Sequence, residues 1–257
     1  WNANTSGVIS WLGTRQTGSA GNLYLYYNSP RWFADLVPHF VSPHFQDDLG
    51  YIPFTDYKGV MSDVSYRTQW RNGAVRSIYL GGYTNDSDHY DGRLFRQVRG
   101  FNTNVQSRGD YSLGFGWAGG RYEQFNDSVY GLNLGARATD PFHNYGLGYS
   151  WGRRAAHHYT FITPYATWRF GRKLTLGIAS SLLFHIQDQQ QHIVTFNYDF
   201  SPKQGIGGRL VAQTGGTNGY FSYRHSGYGG TETFFIVGDP NAAKFQKRVA
   251  FKVVWAL

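Results

Sequence analysis

The run Lys247-Arg-Val-Ala-Phe-Lys-Val-Val-Trp-Ala-Leu257 decides how the chain is read. Val249, Phe251, Val253, Trp255 and Leu257 fall at every second position, and Ala250, Lys252, Val254 and Ala256 fill the places between. Alternate side chains of a strand point to opposite faces, so one face of this segment is continuously apolar while the other is small and holds a charge. A wall between lipid and a polar interior has this requirement. An edge strand of a soluble sandwich satisfies the same period of two, so the rest of the chain must choose.

Working back from the C-terminus, the same alternation recurs. Val194, Phe196, Tyr198 and Phe200 oppose Thr195, Asn197 and Asp199; Tyr145, Leu147, Tyr149 and Trp151 oppose Gly146, Gly148 and Ser150. Tyr130, Leu132 and Leu134 oppose Gly131, Asn133 and Gly135, and Tyr111, Leu113, Phe115 and Trp117 oppose Ser112, Gly114 and Gly116. Val64, Tyr66, Thr68 and Trp70 oppose Ser65, Arg67, Gln69 and Arg71. A sandwich shows Lys, Glu and Thr to water on its polar face; here that face is Gly, Ser and Asn, which suits a confined interior.

Further strands are expected at Gly7–Gly13, 22–27, 74–84, 93–106, 158–170, 173–186, 191–200, 205–213, 218–226 and 231–238. Asn28-Ser29-Pro30 is a turn signal, although 31–40 reads equally as a continuation of the second strand. Asn72-Gly73 predicts a tight hairpin, because both residues tolerate positive φ. Short connections at 72–73, 107–109, 171–172, 201–204 and 227–230 fall on one side, and longer ones at 14–21, 41–59, 85–92 and 239–246 on the other. Short periplasmic turns with longer external loops are the asymmetry of outer-membrane barrels. The expected fold is therefore all-β: a transmembrane antiparallel up-and-down β-barrel of about 16 strands (14–16).

Composition agrees. The 257 residues include 20 Tyr, 19 Phe, 8 Trp and 33 Gly, yet the mean hydropathy is −0.46. Aromatic girdles around a polar interior give that combination. No apolar run approaches the roughly 18–20 residues of a membrane helix. No Pro/Ser-rich linker divides the chain, so 1–257 reads as one domain. Trp1 opens directly into Asn-Ala-Asn-Thr-Ser, which implies a processed leader or a start within a longer gene product. Absence of Cys suits an oxidising compartment. The net charge of +8 is spread singly along strands, with no basic helix or RNA-recognition consensus, so no nucleic-acid partner is expected.

The stretch Val41-Ser-Pro-His-Phe-Gln-Asp-Asp-Leu-Gly-Tyr-Ile-Pro-Phe-Thr-Asp56 resembles a signature of the bacterial family called domain of unknown function 5916, whose members are carbohydrate-binding-family-9-like proteins. Tyr198-Asp-Phe-Ser-Pro202, Tyr223-Arg-His225, Gly230-Thr-Glu-Thr-Phe-Phe-Ile-Val-Gly-Asp239 and Phe251-Lys-Val-Val-Trp255 resemble its closing strands in order. The resemblance implies an outer-membrane location and makes this chain the C-terminal part of a longer barrel. It carries over no functional residues.

Three constellations could carry chemistry. Asp86, Asp88 and Asp91 lie within Thr84–Gly92, a composition that Ca²⁺ loops share, though the EF-hand spacing and closing Glu are absent; a solvated hairpin loop is the simpler expectation. His225 and Ser226 are neighbours on a strand and point to opposite faces, so they cannot form a nucleophile and base. His157-His158 and His185 with His192 lack a third ligand at metal spacing. No catalytic residues and no required cofactor are expected.

The polar phase carries Arg67, Arg71, Arg137, Arg209, Arg224 and Lys252 against Asp63, Asp199 and Glu232. Such groups either pair and brace the wall or bias a pore toward anions. The expected protein is a non-enzymatic bacterial outer-membrane barrel, structural or porin-like, with lipid and lipopolysaccharide as partners. A second chain that completes or plugs it is a further expected partner. A barrel enzyme acting on lipid and a soluble β-rich carbohydrate-binding protein are the alternatives.

Overall fold

The computed structural model describes residues 2–12, 15–45, 54–239, 242 and 244–255, leaving aside the side chains of 5–12, 15–17 and 228. The period of two becomes sixteen strands: Asn2–Leu12 (β1), Arg15–Asn28 (β2), Trp32–Val41 (β3), Tyr57–Gln69 (β4), Val75–Asp88 (β5), Leu94–Ser107 (β6), Tyr111–Tyr122 (β7), Phe125–Ala136 (β8), His143–Arg154 (β9), His157–Phe170 (β10), Leu174–Phe184 (β11), Gln189–Ser201 (β12), Gln204–Gln213 (β13), Gly216–Ser226 (β14), Glu232–Gly238 (β15) and Val249–Val254 (β16). They form one antiparallel up-and-down sheet in which each strand neighbours the next in sequence, from β1 to β16. Among the described residues no ladder joins β16 to β1. Val249, Phe251 and Val253 lie on β16 and Trp255 just beyond it; Leu257 lies outside the described residues.

The 28–30 turn is real and separates β2 from β3. The Ser29 N–H donates to the Trp32 carbonyl at 2.8 Å, and the Trp32 N–H to Ser29 Oγ at 2.9 Å. Two expected loops are instead strand. Residues 15–21 belong to β2, where Gly18 allows close approach: a Cβ there would lie 2.5 Å from the Phe45 nitrogen. Residues 85–88 continue β5, pairing Asn85, Asp86, Ser87 and Asp88 with Met61, Val60, Gly59 and Lys58. The 41–59 loop shrinks to 42–56, of which 46–53 lie outside the described residues, as do parts of the expected 14–21 and 239–246 loops. The expected contrast in loop length is accordingly weaker, because in the stretch that carries 42–56 the alternate connections 123–124 and 155–156 are short turns.

The Asn72-Gly73 turn is also looser than expected. Gly73 alone takes positive φ (93°), and β4 and β5 are joined through 70–74. The tightest left-handed pair falls on Ala155 (φ 49°) and Ala156 (φ 66°), which join β9 to β10. Two positive φ values in a two-residue hairpin match the right-handed strand twist; Asp127 helps hold the turn by accepting the Ala155 N–H at 2.8 Å.

Contacts divide the chain into two units. One comprises 1–108, 113–132 and 151–159, and the other 109–112, 133–150 and 160–257. In the first, Trp32, Tyr66, Leu80 and Thr103 form one row across four strands, and Ala34, Val64, Gly82 and Phe101 the next. The opposite face carries Asp35, Asp63, Tyr83 and Gly100 in register. In the second unit, Trp168, Leu176, Phe196, Gly208, Phe221, Val237 and Val249 make a continuous row. Arg169, Thr175, Asn197, Gly207 and Ser222 make the corresponding row on the other face. Each unit thus has an apolar and a polar face.

Alanine in the left-handed region costs about 1–2 kcal/mol. The double variant Ala155→Asn, Ala156→Gly should therefore raise unfolding stability by about 1 kcal/mol, read as a higher denaturant midpoint. An unchanged or lower midpoint would mean that the turn holds no such strain.

Candidate functional site

The polar face is where the strands bring chemistry together. In the first unit Asp35 and Asp63 are directly opposed, and Asp35 Oδ1 accepts the Asp63 N–H at 2.9 Å. Tyr24 donates to the Asp35 carboxylate from β2. Asp35 sits in the stretch that sequence reading left between strand and turn, so the acidic side was undercounted. Arg67 is exposed, and its Nε reaches the Pro30 carbonyl at 3.3 Å. Arg96, unforeseen, stands opposite Ser87 with its Nε buried and unpartnered, and its guanidinium lies 5.2 Å from the Phe95 ring centre.

Phe95 is 2% exposed and is the most deeply buried large side chain among the described residues. Around it pack Tyr57 (stacked, ring centres 5.1 Å apart), His89 (5.2 Å), Tyr122 (5.4 Å) and Phe54 (5.7 Å). The second described part of the 42–56 connection is thereby tied down, because Phe54 and Asp56 both belong to it: the Asp56 carbonyl lies 2.8 Å from His89 Nδ1. A register shift between Ser87 and Asp88 lets Phe95 and Arg96 share this face, which strict alternation could not have foreseen.

In the second unit Arg209 is on the polar face, opposite Thr195 and Tyr220, and makes no side-chain hydrogen bond among the described residues. Arg224, Phe234 and Lys252 stand in one row. Arg224 is engaged: its Nη2 lies 3.1 Å from Asp199 Oδ1 and its Nη1 3.9 Å from Glu232 Oε1. Arg169 joins this face beside Thr175, stacked 4.5 Å from the Phe142 ring centre.

Two expected polar-face cations are elsewhere. Arg71 is in the turn between β4 and β5, beyond the ladder. Arg137 follows the end of β8 with φ 52°, which swings its guanidinium to 5.9 Å from the Trp168 ring centre, on the apolar row. Four of the six named cations therefore remain, joined by Arg96 and Arg169, and Asp35 joins the acids. The glycines of this face are also less empty than their size suggests. A Cβ at Gly100 or at Gly146 would lie 2.7 Å from the rings of Tyr83 and Tyr165, so these rings lie flat over the backbone.

The carboxylates proposed for Ca²⁺ do not converge. Asp86 takes the Thr84 hydroxyl at 2.9 Å, Asp88 is exposed on β5, and Asp91 binds Arg93 Nε at 2.7 Å. Among the described residues no three His, Cys, Asp or Glu side chains are grouped as metal ligands. Ser226 donates to Glu232 at 3.5 Å, whereas His225 faces Gln204. A closer Ser–His pair, missed because its members are on different strands, is Ser180 Oγ with His192 Nδ1 at 2.9 Å, paired across β11 and β12 on the apolar face. No family model, curated protein or solved structure matches the chain.

The turn after β8 is organised by Asp140, whose Oδ1 accepts the Phe142 N–H at 2.8 Å and the His143 N–H at 3.1 Å, while His143 Nδ1 is 3.2 Å from Oδ2. The Phe142 N–H above all, then the His143 donors, hold the Asp140 carboxyl below its usual range. A carboxyl whose folded pKa is depressed stabilises the fold fully above its unfolded value of about 3.9 and loses that contribution as pH falls through the lower folded value. The Phe142 amide resonance should accordingly titrate below about pH 4, and this should vanish in Asp140→Asn, which keeps an acceptor but cannot ionise. A titration that persists in the variant would assign the transition to another group.

Proposed function

We propose that this chain forms a transmembrane β-barrel of the bacterial outer membrane with a structural or transport role and no enzymatic activity. One observation carries the reading: the apolar side chains are arranged in rows but are not buried. Among the described residues the buried hydrophobic side chains are Val37, Val41, Phe45, Phe95, Ala136 and Val211, whereas Ile178 is 57%, Leu210 53% and Phe251 70% exposed. Leaving a large apolar side chain in water forfeits about 1.5–3 kcal/mol, and continuous apolar surfaces of this kind mark contact with lipid or protein. Lipid on the apolar face and water on the polar face reconcile the two.

On this reading the first and last strands pair with each other or with a partner's edge, because an unpaired strand edge in hydrocarbon costs several kcal/mol per group. The C-terminal resemblance to the domain of unknown function 5916 family is consistent with a barrel completed by further sequence. Lipid and lipopolysaccharide are then the natural surroundings.

The test is direct. Purified protein should require detergent and show heat-modifiable gel migration. Val194, in the middle of β12 and paired with Ile178 and Leu210, is the probe for lipid contact. Val194→Arg should cost about 2–4 kcal/mol in a bilayer, measured by urea titration of vesicle-folded protein; a cost near zero would remove lipid from this face. In planar bilayers an anion preference should weaken in the double variant Arg209→Gln, Lys252→Gln and be indifferent to Arg71→Gln and Arg137→Gln. Cation selectivity in the unaltered protein would sink the charge argument.

A second reading, an outer-membrane enzyme acting on lipid esters, is favoured by the Ser180–His192 pair alone, set among Ile178, Val194 and Leu210. No carboxylate orients His192 among the described residues. Covalent labelling of Ser180 by a fluorophosphonate, lost in His192→Ala, would favour it over the transport reading.

A further inference from the structure

In the second unit the polar face lines a half-open cavity of about 390 Å³ formed by β10 to β15 and the turn before β9. Its size falls within the range of small-molecule sites, about 300–1,000 Å³. Thr175 and Asn197 are cross-strand neighbours on its wall, and neither side chain forms a hydrogen bond among the described residues. The Nε of Arg169 is buried there without a partner. The wall of this cavity thus offers an uncommitted hydroxyl on half-buried Thr175 and an uncommitted amide on exposed Asn197, next to the buried Arg169 Nε. Gly207 makes room for the Asn197 amide, since a Cβ at that position would lie 2.5 Å from Asn197 Oδ1.

The chemistry narrows the ligand. Asn197 and Thr175 each both donate and accept, Arg169 donates, and Asp199 accepts through the oxygen that Arg224 does not hold. Arg224 is neutralised by Asp199 at 3.1 Å and Glu232 at 3.9 Å, so this is not a dedicated anion site. Phe142 supplies an apolar wall, held by Arg169 across its ring. Interleaved donors and acceptors of near-zero net charge beside an aromatic ring match a molecule whose hydroxyls both donate and accept and whose C–H face is apolar. We propose that this cavity is a binding site for a neutral saccharide, which makes sugars the substrate class of the proposed transport role and rests on that reading for its purpose.

Binding can be measured without a pore, on detergent-solubilised full chain, by saturation-transfer NMR and calorimetry with D-glucose, maltose, phosphate and acetate. Saturable binding of glucose or maltose is expected, weakened at least about tenfold (1.4 kcal/mol) by Asn197→Ala and by Thr175→Val and unchanged by Thr233→Ala on the opposite face. If Asn197→Ala does not fold, the near-isosteric Thr175→Val decides alone. Absence of saturable binding by either sugar, binding unchanged in the variants, or binding of phosphate or acetate alone would overturn the assignment. Failure of the membrane reading would show separately, as protein that stays monodisperse without detergent, and would leave the sugar measurement intact.

Discussion

The backbone ladder between successive strands is the interaction on which everything else here depends. With so few apolar side chains buried among the described residues, side-chain packing cannot be the main source of cohesion within either unit. A backbone hydrogen bond contributes about 0.5–1.5 kcal/mol net in water, and its loss costs far more where no water can replace it. The long unbroken registers, such as Gln204–Gln213 against Gly216–His225, are therefore the stabilising structure itself, and the side chains are free to specify the surroundings of each face.

That freedom explains the composition of the polar face. Glycine at 100 and 146 lets tyrosine rings lie along the sheet, where a side chain would force them outward. A flat ring covers backbone with a π-face and still offers a hydroxyl, so the surface remains polar without protruding. Charged groups are then few and placed in register: Asp35 with Asp63, Arg224 between Asp199 and Glu232. Where an aromatic cluster does bury itself, around Phe95, a bulge rather than simple alternation puts it there.

Most of the strand order was legible because a period of two is a local property and needs no knowledge of partners. What escaped was set by contacts between distant residues. The run Gly18-Ser-Ala-Gly21 has the composition of a loop, yet it is strand because Phe45 packs on Gly18. Asn85-Asp-Ser-Asp88 consists of turn formers, but Asn85 and Ser87 are buried and Ser87 Oγ lies 3.4 Å from His39 Nε2. The alternation of β8 stops at Arg137 itself, where φ turns positive, and nothing local in the sequence marks that change. The cavity beside Asn197 draws on six strands and a turn, and no spacing in one segment announces it.

Neighbour-only strand order has a consequence for how such a chain can vary. Each hairpin is a closed unit of pairing, so a duplication or loss of one hairpin changes the strand count by two and leaves every other register as it was. A sheet of this order can thus gain or lose strands in even steps, and the segments free to diverge are the connections rather than the ladders. The uninterrupted order from β1 to β16 is the kind of architecture that such stepwise growth produces.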